Sequence, residues 1–231
     1  MQAALHFIPG TMCTERLWSA LFAELESTFT CVHHAIPVAQ DLEATVDALA
    51  ARLGDGPAWL VGFSLGAYLA SSIAVRNPGL VGRLMLVSNT PGPLAAAEAS
   101  QRAGILKWVE QHGYRGISTA KAAALAGTGE GRDAIVETIL AMDAALGEPV
   151  FKHQMRVMSE RADLAMPLAA LDVPVDLFFS REDPLIDRDW LARFVACAPC
   201  ARLHPADGRG HMLPLERPDE LAALLRRWQA G

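Results

Sequence analysis

Residues Trp59 to Ala70 read WLVGFSLGAYLA, an apolar run interrupted by one serine between two glycines. Leu60, Val61 and Phe63 read as a buried strand, and Leu65, Tyr68, Leu69 and Ile73 as one stripe of a helix. Ser64 sits at the joint. If the strand-to-helix turn is tight, its middle residue is forced to positive φ and its side chain projects above the sheet. The residues two places away must then be tiny, because strand and helix converge there, and Gly62 and Gly66 meet that need. This is the G-x-S-x-G nucleophile elbow. A helix N-terminus also favours developing negative charge. The plainer reading is a serine that caps a helix, with glycines for packing. The flanking strand and helix favour the elbow.

Outward from that joint, short apolar strands alternate with helical patterns. Ala4–Ile8, Phe29–His33, Trp59–Phe63 and Arg83–Ser88 read as strands. Glu15–Glu26, Leu42–Leu53 and Leu65–Arg76 read as the helices between them. Continuous apolar strands in this alternation predict a parallel sheet covered on both faces. The pattern breaks after Pro91. Helical stretches over Leu94–Gln111, Ile117–Leu125, Arg132–Leu146 and Pro149–Arg161 follow, separated by glycines. Alternation returns with strand Val175–Phe179, helix Asp189–Ala196, strand Ala201–His204 and helix Asp219–Gln229. The expected organisation is an α/β core of residues 1–90 and 172–231 with a helical insert at 91–171.

The bulk numbers exclude several classes. A chain of 231 residues that is 52% hydrophobic can bury one sizeable core. A net charge of −6 with scattered arginines argues against nucleic acid. No segment approaches the ~18 apolar residues of a membrane span. The N-terminus lacks the charged and apolar regions of a signal peptide, so a reducing, cytoplasmic setting is expected. Cys197 and Cys200 have C-x-x-C spacing but close a helix instead of opening one, and no second ligand pair accompanies them. No metal and no cofactor are expected. Gly127 to Gly131 superficially suggests a phosphate loop, but no strand precedes it and no Gly-Lys-Ser/Thr closes it.

A serine hydroxyl is a weak nucleophile without a base. In this chain order an acid and then a histidine follow the serine, each after a later strand. After Val175–Phe179 comes SREDPLID, where Pro184 leaves Asp183 on a loop. Glu182, Asp187 and Asp207 are rival acids. After Ala201–His204, His211 follows Gly208 and Gly210 just before the last helix. His6, His33 and His34 precede the serine, His112 and His153 lie in the insert, and His204 reads as a structural strand residue.

With Ser64, Asp183 and His211 placed, the stretches VGFSLGA, REDPLI and GHMLPLERPDEL resemble the α/β-hydrolase superfamily, close to its lid-bearing esterases and enol-lactone hydrolases. The resemblance covers nearly the whole chain. It departs at FIPGTMCTERLW, where Pro9 replaces the family's usual histidine. The resemblance implies an oxyanion hole from the amides of Thr11 and Leu65, with Met12 as a rival to Thr11 and a substrate-pocket residue. It implies a mostly parallel sheet of about six strands, since the usual N-terminal hairpin looks absent, and a helical lid inserted after the fourth strand. Trp108, Met142, Met155 and Met158 can line an acyl pocket there, although apolar stripes on insert helices more often form the lid's own core.

The expected function is a serine hydrolase of a small ester, lactone or thioester, working as a monomer or homodimer. The same triad can serve a lyase, an acyltransferase or a hydrolase of carbon–carbon bonds. A ligand receptor without turnover is a further reading. Arg102, Arg115, Arg132, Arg156 and Arg161 could bind a substrate carboxylate for a lyase, but each reads more simply as a solvated helix charge.

Overall fold

In the computed structural model, which describes residues 2–129, 131–159 and 161–229, six parallel strands form one sheet. The strands are β1 (Ala4–Ile8), β2 (Thr30–His33), β3 (Ala58–Phe63), β4 (Val81–Val87), β5 (Val175–Ser180) and β6 (Ala201–Ala206). Their spatial order is β2-β1-β3-β4-β5-β6. The order reverses between β1 and β3, which pair from Leu5↔Trp59 to Ile8↔Gly62. The crevice at the carboxyl ends of two such strands is where open α/β sheets bind ligands. Ser64 stands at that point.

The helices are α1 (Ser19–Leu25, entered by a 3-10 turn at Glu15–Trp18), α2 (Leu42–Ala50), α3 (Leu65–Arg76), α4 (Ala96–His112), α5 (Thr119–Leu125), α6 (Arg132–Ser159), α7 (Ala165–Ala169), α8 (Arg188–Cys197), α9 (Leu213–Glu216) and α10 (Pro218–Arg226). The sheet separates two buried clusters. One holds Leu60, Leu69, Ile73, Leu84, Leu177, Trp190 and Phe194, and so joins the sheet to α3 and α8. The other holds Leu5, Phe7, Trp18, Leu21, Val61, Phe63, Met85 and Leu225, and joins it to α1 and α10. Successive residues of β3 divide between the two clusters, Leu60 on one side and Val61 on the other, as a strand covered on both faces requires.

The insert contains helices and no strand among its described residues. Residues 132–159 form one run that leaves helical geometry at Gly147 (φ 75°), two residues before Pro149. This matches the two helices expected there. Two short helices, α7 and α9, have no counterpart in the sequence reading. Each is five residues or fewer, too short to show a helical period. Although α7 lies within 91–171, it packs on α3 and α8, and its Ala165 and Leu168 join the core cluster. Among the described residues no helix is long and apolar enough to cross a membrane.

The packing at the elbow explains its glycines. A Cβ on Gly62 would come within 2.5 Å of Ala67 Cα, and one on Gly66 within 2.5 Å of the Pro9 carbonyl oxygen. Neither obstacle is a flexible side chain. Gly66→Ala is therefore expected to destabilise the protein by about 1–3 kcal/mol or more, read as a fall in the urea midpoint. Gly79→Ser, at a turn where a Cβ meets nothing within 4 Å but φ is 89°, is expected to cost only the strain of that φ, about 1 kcal/mol.

Candidate active site

Ser64 lies at the N-cap position of α3 with φ 50° and ψ −115°, and its side chain makes no capping bond. Three other helix starts behave differently. Asp41, Ser118 and Asp187 use their side chains to accept backbone N–H groups at α2, α5 and α8. The tight turn aims the Ser64 hydroxyl away from the helix instead. Its Oγ lies 3.1 Å from His211 Nε2. His211 Nδ1 lies 2.7 Å from Asp183 Oδ2. The carboxylate accepts from Nδ1–H, which leaves Nε2 as the acceptor for the serine hydroxyl.

The rival acids are engaged elsewhere. Asp187 accepts the Trp190 N–H at 2.9 Å. Asp207 pairs with Arg181 at 3.1 Å on the surface. Glu182 is exposed. Asp183 is buried, and its second oxygen accepts the Leu185 N–H at 2.9 Å, which fixes the carboxylate plane. The remaining histidines also have separate settings. His204 pairs with buried Asp176 at 2.6 Å, and the same carboxylate accepts from Trp228 Nε1 at 3.0 Å. His6 on β1 and His34, just after β2, pair at 2.8 Å, where burial, aided by His6 and Arg52, pulls His34 down to about 4.

The loop carrying His211 is held from several sides. Ser180 Oγ donates to the Gly210 carbonyl at 2.5 Å. The His211 N–H donates to the Leu125 carbonyl of α5 at 2.8 Å. Glu216 accepts the Met212 N–H at 2.9 Å and also the Gly127 N–H. Its carboxylate fills the space that a side chain on Gly127 or Gly210 would need. Burial pushes the Glu216 carboxyl up, against the opposing effect of those amides.

The loop after β1 supplies the facing wall. A Cβ on Gly10 would lie 2.7 Å from the Phe63 ring and 3.2 Å from Ser64 Cβ, so only glycine lets this loop approach. Met12 has φ 54°, and its N–H donates to Gln154 Oε1 of α6 at 2.7 Å. The amides of Thr11 and Leu65 have no protein acceptor among the described residues. The Met12 amide is thus occupied where the Thr11 amide is free.

Four insert residues are pocket candidates by sequence. Met142 is fully buried in one cluster with Ala122, Val136 and Ile139. Met155 is buried, with its sulfur 3.6 Å from Arg102 Nη1. Trp108 is not brought inside. It is 45% exposed, stacked on His112 one helical turn away and flanked by Arg115. The Met158 side chain lies outside what the structure describes. Gln154 and Glu216 were missed by sequence reasoning. An interior glutamine on a lid helix carries no signal until its partner amide is known, whereas Glu216, just after the GHMLPL stretch, was within reach of the motif.

The arginines also sort by environment. Arg156 is exposed and paired with Glu110 at 3.1 Å. Arg132 donates to the Ala123 carbonyl at 2.8 Å. Arg161 does not match a solvated helix charge: it precedes α7 in a loop, largely withdrawn from solvent, with its guanidinium over the Tyr68 ring.

Residues 7–224 match the model of the alpha/beta hydrolase family. A pimeloyl-[acyl-carrier protein] methyl ester esterase of Neisseria meningitidis is 32% identical over 213 residues, covering 86% of this chain and 80% of that protein. Among solved structures, a thermophilic esterase from Thermogutta terrifontis superposes with a TM-score of 0.86 at 20% identity, covering 100% of this chain and 90% of the other. The enol-lactonase from Burkholderia xenovorans superposes with a TM-score of 0.78 at 15% identity, covering 100% and 92%. The sheet order, the elbow and the matched family model agree, and the chain belongs to the alpha/beta hydrolase family.

Proposed function

We propose that this protein is a serine esterase that hydrolyses a small carboxylic ester through an acyl-enzyme on Ser64. One observation carries the reading: the Ser64 hydroxyl declines the helix cap and lies 3.1 Å from His211 Nε2, while Asp183 holds the other ring nitrogen. Ser64 Oγ attacks the ester carbonyl, and its proton passes to His211 Nε2. Asp183 keeps the tautomer and stabilises the imidazolium. The oxyanion takes hydrogen bonds from the Thr11 and Leu65 amides. Collapse breaks the bond to the alkoxy group, which leaves with the proton from His211. Water then gives a proton to His211 and attacks the acyl-enzyme. The acid leaves and Ser64 regains its proton.

The methyl ester esterase named among the relatives supports an ester of a small alcohol. Residues 91–171 act in this reading as the cover of the site, over a core of 1–90 and 172–231. Support comes from the two bonds by which the insert reaches it, Gln154 to Met12 and Leu125 to His211.

A fluorophosphonate probe is expected to label Ser64 in the wild-type chain and to leave Ser64→Ala unlabelled at unchanged thermal stability. Persistent labelling would refute the assignment. Asp183→Asn is expected to lower kcat on nitrophenyl acetate by on the order of 10³–10⁴, because His211 loses its oriented tautomer. Asp187→Ala is expected to cost about 1 kcal/mol of stability as a lost helix cap, with kcat little changed. The reverse ranking would move the acid to Asp187. Gln154→Met removes the acceptor for a buried amide, a loss of about 1–3 kcal/mol. It is expected to lower kcat about tenfold with a smaller change in KM, because the loop that carries the Thr11 amide loses its tether.

A further inference from the structure

Six buried side-chain polar atoms lack a hydrogen-bond partner among the described residues, and three of them belong to residues at the end of β4 or bonded to it. They are Ser88 Oγ, Asn89 Oδ1 and Arg161 Nε. Ser88 and Asn89 follow β4 directly, and Ser88 has φ 51°. Arg161 reaches the same strand end, where its Nη2 donates to the Thr90 carbonyl at 3.0 Å. Its guanidinium carbon lies 4.8 Å from the centroid of the Tyr68 ring. Tyr68 stands one helical turn along α3 from Ser64. The other unpartnered atoms, on Trp18, His33 and Arg132, are dispersed through the molecule.

The charge balance of this recess is uneven. No described carboxylate bonds to Arg161. Arg102 of α4 is close enough to repel it, and among the described residues a single carboxylate, Glu98, faces both guanidinium groups, bonded to Arg102 at 2.8 Å. Burial pulls Arg161 down to about 10, so it stays cationic at neutral pH. A cation withdrawn from water that shares its facing carboxylate with a second cation is only partly compensated. A neutral donor could bond the Thr90 carbonyl as well. The free Arg161 Nε–H and the Ser88 hydroxyl are donors of the kind a planar anion accepts, whereas Asn89 Oδ1 is an acceptor and contributes no bond to it. Arg102 also touches Met155, the neighbour of Gln154, so the recess is continuous with the element that holds the loop after β1.

We propose that the donors of Ser88 and Arg161 at the end of β4, with Arg102 beside them, bind a carboxylate carried by the ester substrate, so that half-esters of small dicarboxylic acids are preferred. This rests on the serine esterase reading and names its substrate class. The carboxylate ion-pairs with Arg161 while the ester carbonyl lies at Ser64.

The test uses the full chain and monomethyl esters of the four- to seven-carbon linear dicarboxylic acids, each against the neutral methyl ester of matched length. At least one half-ester is expected to show a tenfold or greater advantage in kcat/KM, mainly through KM, and the advantage should shrink at high salt. Arg161→Met is expected to reduce that ratio at least tenfold. Arg156→Met, which removes an exposed arginine paired with Glu110, is expected to leave it unchanged. No advantage at any length, or a ratio unmoved in Arg161→Met, overturns the proposal. Should Arg161→Met fail to fold, Ser64→Ala gives a second measurement. The preferred half-ester is expected to raise its Tm and the matched neutral ester is not, and equal or absent shifts overturn the proposal. Absence of fluorophosphonate labelling at Ser64 in the wild-type chain, with that selective shift retained, would instead refute the esterase reading and leave the anion site standing.

Discussion

The approach of the α3 N-terminus to the backbones of β1 and β3 is the constraint on which the site depends. At Gly66 the distance to the Ile8 and Pro9 carbonyls leaves no room for a methyl group, and at Gly62 the same holds against Ala67. A helix seated so closely cannot begin through an extended N-cap residue, so Ser64 takes φ 50°. The consequence is chemical. Thr14, Ser118 and Asp187 show what an unconstrained cap residue does here, each turning its side chain back onto a backbone amide. Set back by one methyl group, α3 could let Ser64 do the same, and the hydroxyl would be spent. Close packing keeps it free for His211.

Strain of this kind recurs along the same edge of the sheet. Among the described residues, those with positive φ that are not glycine are Met12, Ser64 and Ser88, and they follow β1, β3 and β4, three adjacent strands. Each such conformation costs on the order of 1–3 kcal/mol and persists only where its surroundings over-determine it. The surroundings here are hydrogen bonds to the strained residues' own amides. Met12 donates to Gln154, Ser64 to Val87 and Ser88 to Phe178. The latter two acceptors belong to the next strand of the sheet. The sheet itself therefore holds Ser64 and Ser88 in place, while Met12 depends on a side chain from the insert.

What the sequence made legible follows from where each signal originates. The central strands are buried apolar runs, and the edge strands β2 and β6, less buried and less apolar, are marked by the helical patterns on either side, so all six could be placed within a residue or two. The elbow is also local, because two glycines and a serine must fall within five positions. Asp183 and His211 follow from chain order and from loops that Pro184, Gly208 and Gly210 mark. The rest is tertiary. α7 and α9 are held by packing and by the chain entering and leaving them, not by a period of their own. Trp108 reads as an apolar pocket residue, yet α4 buries only Val109, so its tryptophan finds His112 and Arg115 instead of a core. The choice between Thr11 and Met12 depends on Gln154, more than a hundred residues away in the chain. Arg161 differs from Arg156 only in what surrounds it, and nothing in the sequence states that.

The insert is tied to both halves of the catalytic edge. Through Gln154 it holds the loop after β1, and through the Leu125 carbonyl and the Gly127 amide it holds the loop of His211 and Glu216. A rigid swing of the whole insert would unmake these bonds together. It would leave the Met12 and His211 amides unpaired, each at a cost of about 1–3 kcal/mol while they stay buried, and would free the strained loop after β1. The insert and the loops that carry Met12 and His211 are therefore joined along α5 and α6. α4 makes none of these bonds: among its described side chains Val109 is the buried one, the Arg102–Glu98 pair lies within the helix, and Arg156–Glu110 is its ion pair to α6.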